Sequence, residues 1–114
     1  MDDDRRGLGR INCDIFLNKV EHGHTNICRA LDVSLGGMRL ERMLEAHTAR
    51  NASVQLQFEL PGVEEPIWVG ATKVYEDDAV VGVKFTNISH GHFMRLRGWL
   101  RDQALVQSLP AFSA

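Results

Sequence analysis

The sequence has no apolar run long enough to cross a bilayer and little excess of charge of either sign. Its 114 residues include 13 Lys and Arg and 15 Asp and Glu, which gives a formal net charge of −2. A protein that coats duplex DNA or an anionic membrane normally carries a clear excess of basic residues. A membrane-spanning helix needs about 20 predominantly apolar residues in a row. The composition therefore argues against polymeric nucleic acid and against membrane insertion.

Cysteine is scarce as well, with Cys13 and Cys28 the only two. They lack the spacing of a metal site, so two ordinary thiols in a reducing compartment are expected, and a disulfide between them stays open. The N-terminus is acidic and then basic with no apolar stretch behind it, which differs from a secretory signal. We therefore expect a cytoplasmic protein.

The length fits one domain with one hydrophobic core. Residues 1–10 are polar and contain glycine without an apolar pattern, which predicts a flexible N-terminal segment. Residues 11–114 are expected to form the folded domain. A monomer is favoured, although nothing in the sequence fixes the oligomeric state.

Segments with an alternating apolar pattern dominate this domain. In the first of them, Ile11, Cys13 and Ile15 share a face. A helix is expected from Ser89, which is a plausible N-cap, and a short helical turn within residues 41–49. Short strands separated by turn residues predict a mainly β fold, a six-stranded antiparallel barrel finished by a C-terminal helix. The predicted strands are Ile11–Val20, Thr25–Val33, Met38–Leu40, Val54–Leu60, Ile67–Tyr75 and Ala79–Ile88.

Residues 5–10 form the first of two clusters suited to a guanine nucleotide. They contain Arg-x-x-x-Arg at Arg6 and Arg10, with Arg5 just before it. A guanidinium is a rigid fork of donors that matches both a phosphate and the O6/N7 edge of guanine. Glycines between the arginines would let the chain wrap around a compact ligand. The alternative is a solvated basic tail that balances the three preceding aspartates.

The second cluster is Asp32-x-Ser34-x-x-Gly37. An ionised Asp only accepts hydrogen bonds, so it suits the N–H groups on the Watson–Crick edge of guanine. Ser34 can donate to a phosphate or base oxygen. Gly37, or Gly36 beside it, permits a backbone conformation or a close approach that a Cβ would prevent. The alternative is a turn that simply closes a strand.

Together the two clusters resemble the PilZ domain family, whose hallmark is Arg-x-x-x-Arg followed by Asp/Asn-x-Ser-x-x-Gly. Both halves are present in the family's order, and Val-Gly-Val-Lys-Phe at residues 81–85 resembles its late strand. The resemblance implies a stand-alone PilZ-like barrel that performs no catalysis. It also implies a receptor that binds the bacterial second messenger cyclic diguanylate (c-di-GMP) and signals through a partner protein.

The resemblance bears on three more residues. In the family, the residue before Arg-x-x-x-Arg tends to decide whether one ligand or an intercalated pair is held, and Arg5 there predicts a pair of c-di-GMP molecules. Arg39 is expected either to reach a phosphate or to be a plain surface arginine. Tyr75 lies near where some members place an aromatic against a guanine. A core or cross-strand role is the alternative for Tyr75.

Other functions stay open. A PilZ-like interaction module that works without nucleotide is disfavoured by the intact arginines. A barrel that binds RNA or single-stranded DNA would need a basic stripe among its aromatics, which are Phe16, Phe58, Trp68, Tyr75 and Phe85. No Ser/His/Asp arrangement, Walker loop or apolar carboxylate pair suggests an enzyme, and no cofactor is expected.

Two His-x-His elements, at residues 22–24 and 90–92, are the remaining motif. They could supply four zinc ligands if folding brought them together. Ordinary polar surface is the alternative, and no metal site is predicted. Trp68 and Trp99 are expected to fill space in the core or at an interface.

Overall fold

The computed structural model describes residues 9–41 and 52–108, and the short helix expected after residue 41 lies outside this part of the chain. Six strands and one helix, α1, make up the described residues, close to the bounds predicted from the alternating pattern. They are β1 (Ile11–Glu21), β2 (His24–Val33), β3 (Gly37–Glu41), β4 (Ser53–Phe58), β5 (Ile67–Glu76), β6 (Val80–Ile88) and α1 (His90–Ser108).

The strands form a closed barrel in the order β1-β2-β3-β6-β5-β4, with every neighbouring pair antiparallel. Closure comes from the pairing of β1 with β4, in which Leu17 lies opposite Phe58 and Val20 opposite Gln55. Each strand therefore has a partner on both sides, which removes the exposed edges at which sheets aggregate. The predicted six-stranded barrel is confirmed.

Turn chemistry explains where the strands end. His22 and Gly23 join β1 to β2 with φ angles of 53° and 79°, and a two-residue hairpin turn with positive φ at both positions favours glycine there. Between β5 and β6, the Asp77 carboxylate accepts hydrogen bonds from the backbone N–H groups of Ala79 and Val80 at 2.8 and 2.7 Å. The Asp77 side chain thus takes the place of backbone carbonyl groups as the acceptor for these two N–H groups.

Helix α1 packs against the barrel core through the face expected from its sequence. Leu96 and Leu100 are fully buried and Trp99 nearly so. The Ser89 hydroxyl accepts from the His92 N–H at 3.2 Å, which confirms the predicted N-cap. Trp68, by contrast, is 43% exposed on the outer side of β5 and is not part of the core. Within the described ranges, no helix is long and apolar enough to span a bilayer.

Two lysines point into the barrel, which the sequence pattern did not indicate. Lys19 is 1% exposed and Lys73 is 2% exposed, because each occupies a position in the inward phase of its strand. A buried ammonium needs a nearby opposite charge. Lys73 Nζ lies 3.1 Å from Glu76 Oε1, and Lys19 Nζ lies 3.9 Å from Glu21 Oε1. The interior of the barrel therefore combines an apolar core with a charged section.

Candidate ligand-binding site

Two β-bulges shape the surface on which the Asp-x-Ser-x-x-Gly cluster lies. The register of β1 against β2 shifts between Asn12 and Ile15, and that of β2 against β3 shifts between Ala30 and Asp32. A bulge bends its strand and re-aims the side chains next to it. The strict alternation expected through Cys13 is broken here, and Cys13 is half-buried.

Asp32 faces the outside of the barrel, because the next residue, Val33, is fully buried in the core. Its carboxylate is nevertheless only 3% exposed, since two arginines lie against it. Arg10 Nη1 donates to Oδ1 at 2.6 Å, and Arg39 Nε donates to Oδ2 at 2.6 Å. Charge-assisted hydrogen bonds of this length are among the stronger polar interactions in proteins. Each carboxylate oxygen thus holds one guanidinium.

Arg39 belongs to a row of residues that crosses four strands. It lies opposite Asp32 on one side and opposite Gly82 on the other, and Gly82 lies opposite Tyr75. The pKa of the Arg39 guanidinium is raised above its ordinary value, first by the hydrogen bond to Asp32 and the charge of that carboxylate, and to a smaller extent by Tyr75. Asp32, and to a smaller extent Tyr75, therefore stabilise the charged form of this guanidinium.

Gly82 allows this row to form. A Cβ at position 82 would overlap the ring of Tyr75, so the ring lies directly over the backbone of β6. Tyr75 is 40% exposed, which leaves part of the ring accessible on the outer surface of the barrel. The cross-strand role that the sequence left open for Tyr75 is thus observed, and it sets an accessible aromatic ring beside Arg39.

The turn between β2 and β3 is closed by its own residues. Ser34 N–H donates to the Gly37 carbonyl at 2.8 Å, and the Ser34 hydroxyl accepts from Gly36 N–H at 3.2 Å. The Gly36 carbonyl accepts from Phe85 N–H at 2.8 Å, which ties the turn to β6. A Cβ at Gly37 would overlap the carbonyl oxygen of Val83. Gly37 is therefore required by the packing of β3 on β6, whatever else binds at the turn.

Cys13 lies beside this site and is electrostatically linked to it. The pKa of its thiol is raised from its ordinary 9.0 to about 11, mainly by burial and then by the negative charges of Asp32 and Asp14. The thiol lies 3.5 Å from the Ala30 carbonyl, to which it donates. Cys13 and Cys28 form no disulfide, which agrees with the expectation of two free thiols. The raised pKa of Cys13 nevertheless distinguishes it from an ordinary thiol.

Most of the site residues predicted from the sequence come together in the structure. Arg10, Asp32 and Arg39 are in direct contact, and Tyr75 continues the row. Arg5 and Arg6 lie outside the described residues. Sequence reasoning did not foresee the bonds of Arg10 and Arg39 to Asp32. The signal that could have indicated the second bond is the short turn between Asp32 and Arg39, which makes cross-strand neighbours of the two residues.

The two His-x-His elements are far apart. His22 and His24 flank the β1–β2 turn, whereas His90 and His92 begin α1 after β6. Because neighbouring strands alternate in direction, these places lie at opposite ends of the barrel. Within residues 9–41 and 52–108, no group of three or more His, Cys, Asp or Glu side chains is arranged to hold a metal ion. The possibility of a shared zinc site is therefore wrong.

The outer face of the barrel thus brings together two guanidinium groups, a carboxylate between them, a glycine turn and an exposed aromatic ring. The sequence profile of the PilZ domain family matches residues 4–102. The chain belongs to the PilZ domain family, whose domains are receptors or adaptors.

Solved structures of PilZ proteins share this fold. The Bacillus subtilis inhibitor of motility MotI/DgrA is similar with a TM-score of 0.77 at 15% identity, over 88% of this chain and 51% of that one. The PilZ domain of YcgR from Escherichia coli, solved with c-di-GMP, has a TM-score of 0.64 at 19% identity, over 87% of this chain and 93% of that one. At these identities the likeness establishes the fold.

A third similar structure is that of PlzA from Borreliella burgdorferi in complex with c-di-GMP. It has a TM-score of 0.53 at 17% identity, over 90% of this chain and 37% of that one. This chain therefore spans about half the length of MotI/DgrA and less of PlzA. No curated protein matches the sequence.

Proposed function

We propose that this PilZ domain binds c-di-GMP on the outer surface of β2, β3, β5 and β6. The observation that carries the proposal is the Asp32 carboxylate, which lies next to Arg10 of the Arg-x-x-x-Arg motif and in the same cross-strand row as the exposed ring of Tyr75. These are the groups that the two charged phosphates and the two guanines of c-di-GMP require. Two of the similar structures contain c-di-GMP, which supports the same ligand class here.

Each residue has a role in this proposal. Arg6 and Arg10 bind the phosphates or the O6/N7 edge of guanine. Asp32 accepts from the N–H groups of the Watson–Crick edge. The Ser34 hydroxyl, which donates to the Gly37 carbonyl at 3.3 Å and accepts from Gly36 N–H at 3.2 Å, would turn its proton to the ligand, and Gly36 and Gly37 leave room for a close approach. Tyr75 stacks on a guanine, an interaction typically worth about 1–3 kcal/mol per base.

The proposed stoichiometry is an intercalated pair of c-di-GMP molecules per chain. Two such ligands carry four negative charges, which need cationic neighbours once they are partly desolvated. Arg5, next to Arg6 in the sequence, can stack its planar guanidinium on a second guanine and neutralise further phosphates. Residues 1–10 then act as a ligand-binding segment that closes over the barrel of residues 11–114.

The output of the receptor is proposed to be a change of surface that a partner protein reads. Ordering of the arginine segment on the barrel creates a new contact area without any chemical reaction. An interaction module that works without nucleotide would present the same barrel surface at all times, so the response of the purified chain to c-di-GMP separates the two possibilities.

A calorimetric titration of the purified protein with c-di-GMP, with GTP and cyclic GMP as controls, tests the proposal. We expect saturable binding of c-di-GMP and much weaker binding of the two controls, because neither presents two guanines on a compact cyclic diphosphate. If c-di-GMP produced no heat and no change in the amide NMR spectrum at millimolar concentration, the proposed function would be wrong.

A further inference from the structure

Asp32 has two arginine partners, and the structure holds them in different ways. Arg10 precedes β1 and meets the carboxylate from outside the regular sheet. Arg39 lies within β3 as the direct cross-strand neighbour of Asp32, with Gly82 on its other side. The ring of Tyr75 lies over Gly82, next to Arg39 in the same cross-strand row. Arg10 is therefore the easier of the two to move.

Binding of c-di-GMP as proposed above would change the hydrogen-bond partners of the Asp32 carboxylate. Guanine N–H groups must reach Asp32, while Arg10 is required by the ligand itself. A carboxylate has about four lone-pair sites on its two oxygens, so it can accept from guanine and keep one arginine. If both arginines left, the ligand would cover the carboxylate in their place without supplying a counter-charge, and proteins rarely tolerate a buried charge that is left uncompensated.

We propose that Arg39 is the permanent partner of Asp32, a positioning residue that stays on Oδ2 while Arg10 leaves Oδ1 for the ligand. Arg39 then balances the charge of the carboxylate and fixes the direction in which Oδ1 faces the guanine. This inference rests on the proposed c-di-GMP site, and it assigns Arg39 an action through Asp32 and no contact with a phosphate.

A double-mutant cycle separates an action through Asp32 from a direct contact. The variants are Arg39→Gln, Asp32→Asn and the double variant, each titrated with c-di-GMP by calorimetry. We expect Arg39→Gln to weaken binding about tenfold or more in the wild-type background, because the carboxylate loses its remaining counter-charge and its orientation. In the Asp32→Asn background the same change should alter affinity by no more than about threefold, since no charge is left for Arg39 to balance.

Arg29→Gln is the matched control. Arg29 also lies on a strand of the same sheet and binds a carboxylate across it, with both bonds to Glu41 at 3.0 Å, but it is not part of the Asp32 row. Its replacement should leave c-di-GMP affinity unchanged. Arg39→Lys retains the positive charge without the guanidinium fork and should restore part of the affinity lost in Arg39→Gln. Circular dichroism of each variant verifies that the barrel is folded.

A direct readout is the Nε–H signal of Arg39 in ¹H–¹⁵N NMR spectra, assigned by its loss in Arg39→Gln. We expect this signal to stay visible and hydrogen-bonded throughout a c-di-GMP titration, because the bond to Asp32 persists. Equal losses of affinity in both backgrounds, or tighter binding by Arg39→Gln, would overturn the role of Arg39 alone. Lack of binding by the wild-type chain would overturn the proposed function, and this inference with it.

Discussion

Arg10 can be tested on its own, because it lies outside the strands. Replacing Arg10 or Arg6 by Ala should weaken c-di-GMP binding by about 2–4 kcal/mol, since each change removes charge-assisted bonds to an anion or a base. The fold should survive, because Asp32 retains Arg39 as a partner. Calorimetry provides the measurement and Arg29→Ala the control. Wild-type affinity in both variants would mean that the arginines are only a solvated tail.

The thiol of Cys13 gives a second test, one that does not involve the ligand. A pKa of about 11 leaves roughly a hundredfold less reactive thiolate near pH 8 than an ordinary thiol has. Alkylation by iodoacetamide should therefore be slow at pH 8 and accelerate as the pH rises towards 11. Because the negative charge of Asp32 contributes to the shift, Asp32→Asn should lower the pKa and speed the reaction at a given pH.

Mass spectrometry of tryptic peptides measures this reaction at Cys13 separately from Cys28. The deeply buried Cys28 serves as an internal reference, since it should react only when the barrel unfolds. Alkylation of Cys13 at pH 8 at the rate of a free cysteine would show that its thiol is neither buried nor influenced by Asp32.

For single residues, the sequence predicted the kind of ligand that the side chains suit better than it predicted which side chains contact each other. The residue types at Arg10, Asp32 and Tyr75 pointed to a guanine ligand, and the structure brings these residues onto one surface. The bond between Arg10 and Asp32 joins residues 22 positions apart, so no local pattern indicates it. The burial of Lys19 was not predicted for a related reason. The alternating pattern shows which face of the strand Lys19 occupies, but the carboxylate that stabilises the buried ammonium is brought near it only in the folded barrel.

Gly37 shows how one position controls the contact between two strands. In Gly37→Ala the new Cβ would meet the backbone carbonyl of Val83, which cannot rotate away as a side chain would. β3 and β6 must shift apart, and we expect a loss of about 1–3 kcal/mol in the free energy of unfolding. Urea unfolding measured by circular dichroism tests this expectation.

Gly98→Ala is the control for this substitution. Gly98 lies in α1 with no atom near its missing Cβ, so alanine there should stabilise the protein by up to about 1 kcal/mol through helix propensity. An unchanged unfolding midpoint in Gly37→Ala would mean that the strands accommodate a methyl group. The contact with β6 would then not explain why position 37 is a glycine.

Strands were predicted within one or two residues wherever turn chemistry marks their ends, as at His22 and Asp77. β3 was expected over Met38–Leu40 but covers Gly37–Glu41, because Gly37 pairs with Lys84 of a strand distant in sequence. The two bulges could not be anticipated for the same reason. A bulge exists only relative to the partner strand, and the apolar pattern of one strand does not contain it.

The number of bound ligands is a property of the entire domain. At protein concentrations well above the dissociation constant, we expect c-di-GMP binding to saturate at two molecules per chain, because Arg5, Arg6 and Arg10 together can offset three of the four negative charges of a compact pair. Arg5→Leu should reduce the value to one, since leucine offers neither charge nor a planar donor group. Saturation of the wild-type protein at one ligand would refute the intercalated pair.

The barrel as a fold class followed from six short strands, each with turn residues at its end, but the strand order did not. β6 lies between β3 and β5, and β1 closes the barrel against β4. These pairings join segments far apart in the chain, and an alternating pattern is compatible with many such orders. The resemblance to the PilZ family, through the motifs at Arg6, Arg10 and Asp32, implied a six-stranded barrel, and the order of its strands is seen only in the structure.

The burial of Lys19 and Lys73 has a practical consequence for covalent labelling. The chain contains three lysines, and the third, Lys84, is exposed on β6 opposite Gly37 of the site's turn. An amine-reactive dye applied to the folded protein therefore attaches to Lys84 in preference to the other two lysine side chains. A fluorophore introduced this way sits next to the turn from Ser34 to Gly37, where its emission can follow ligand arrival without a substitution.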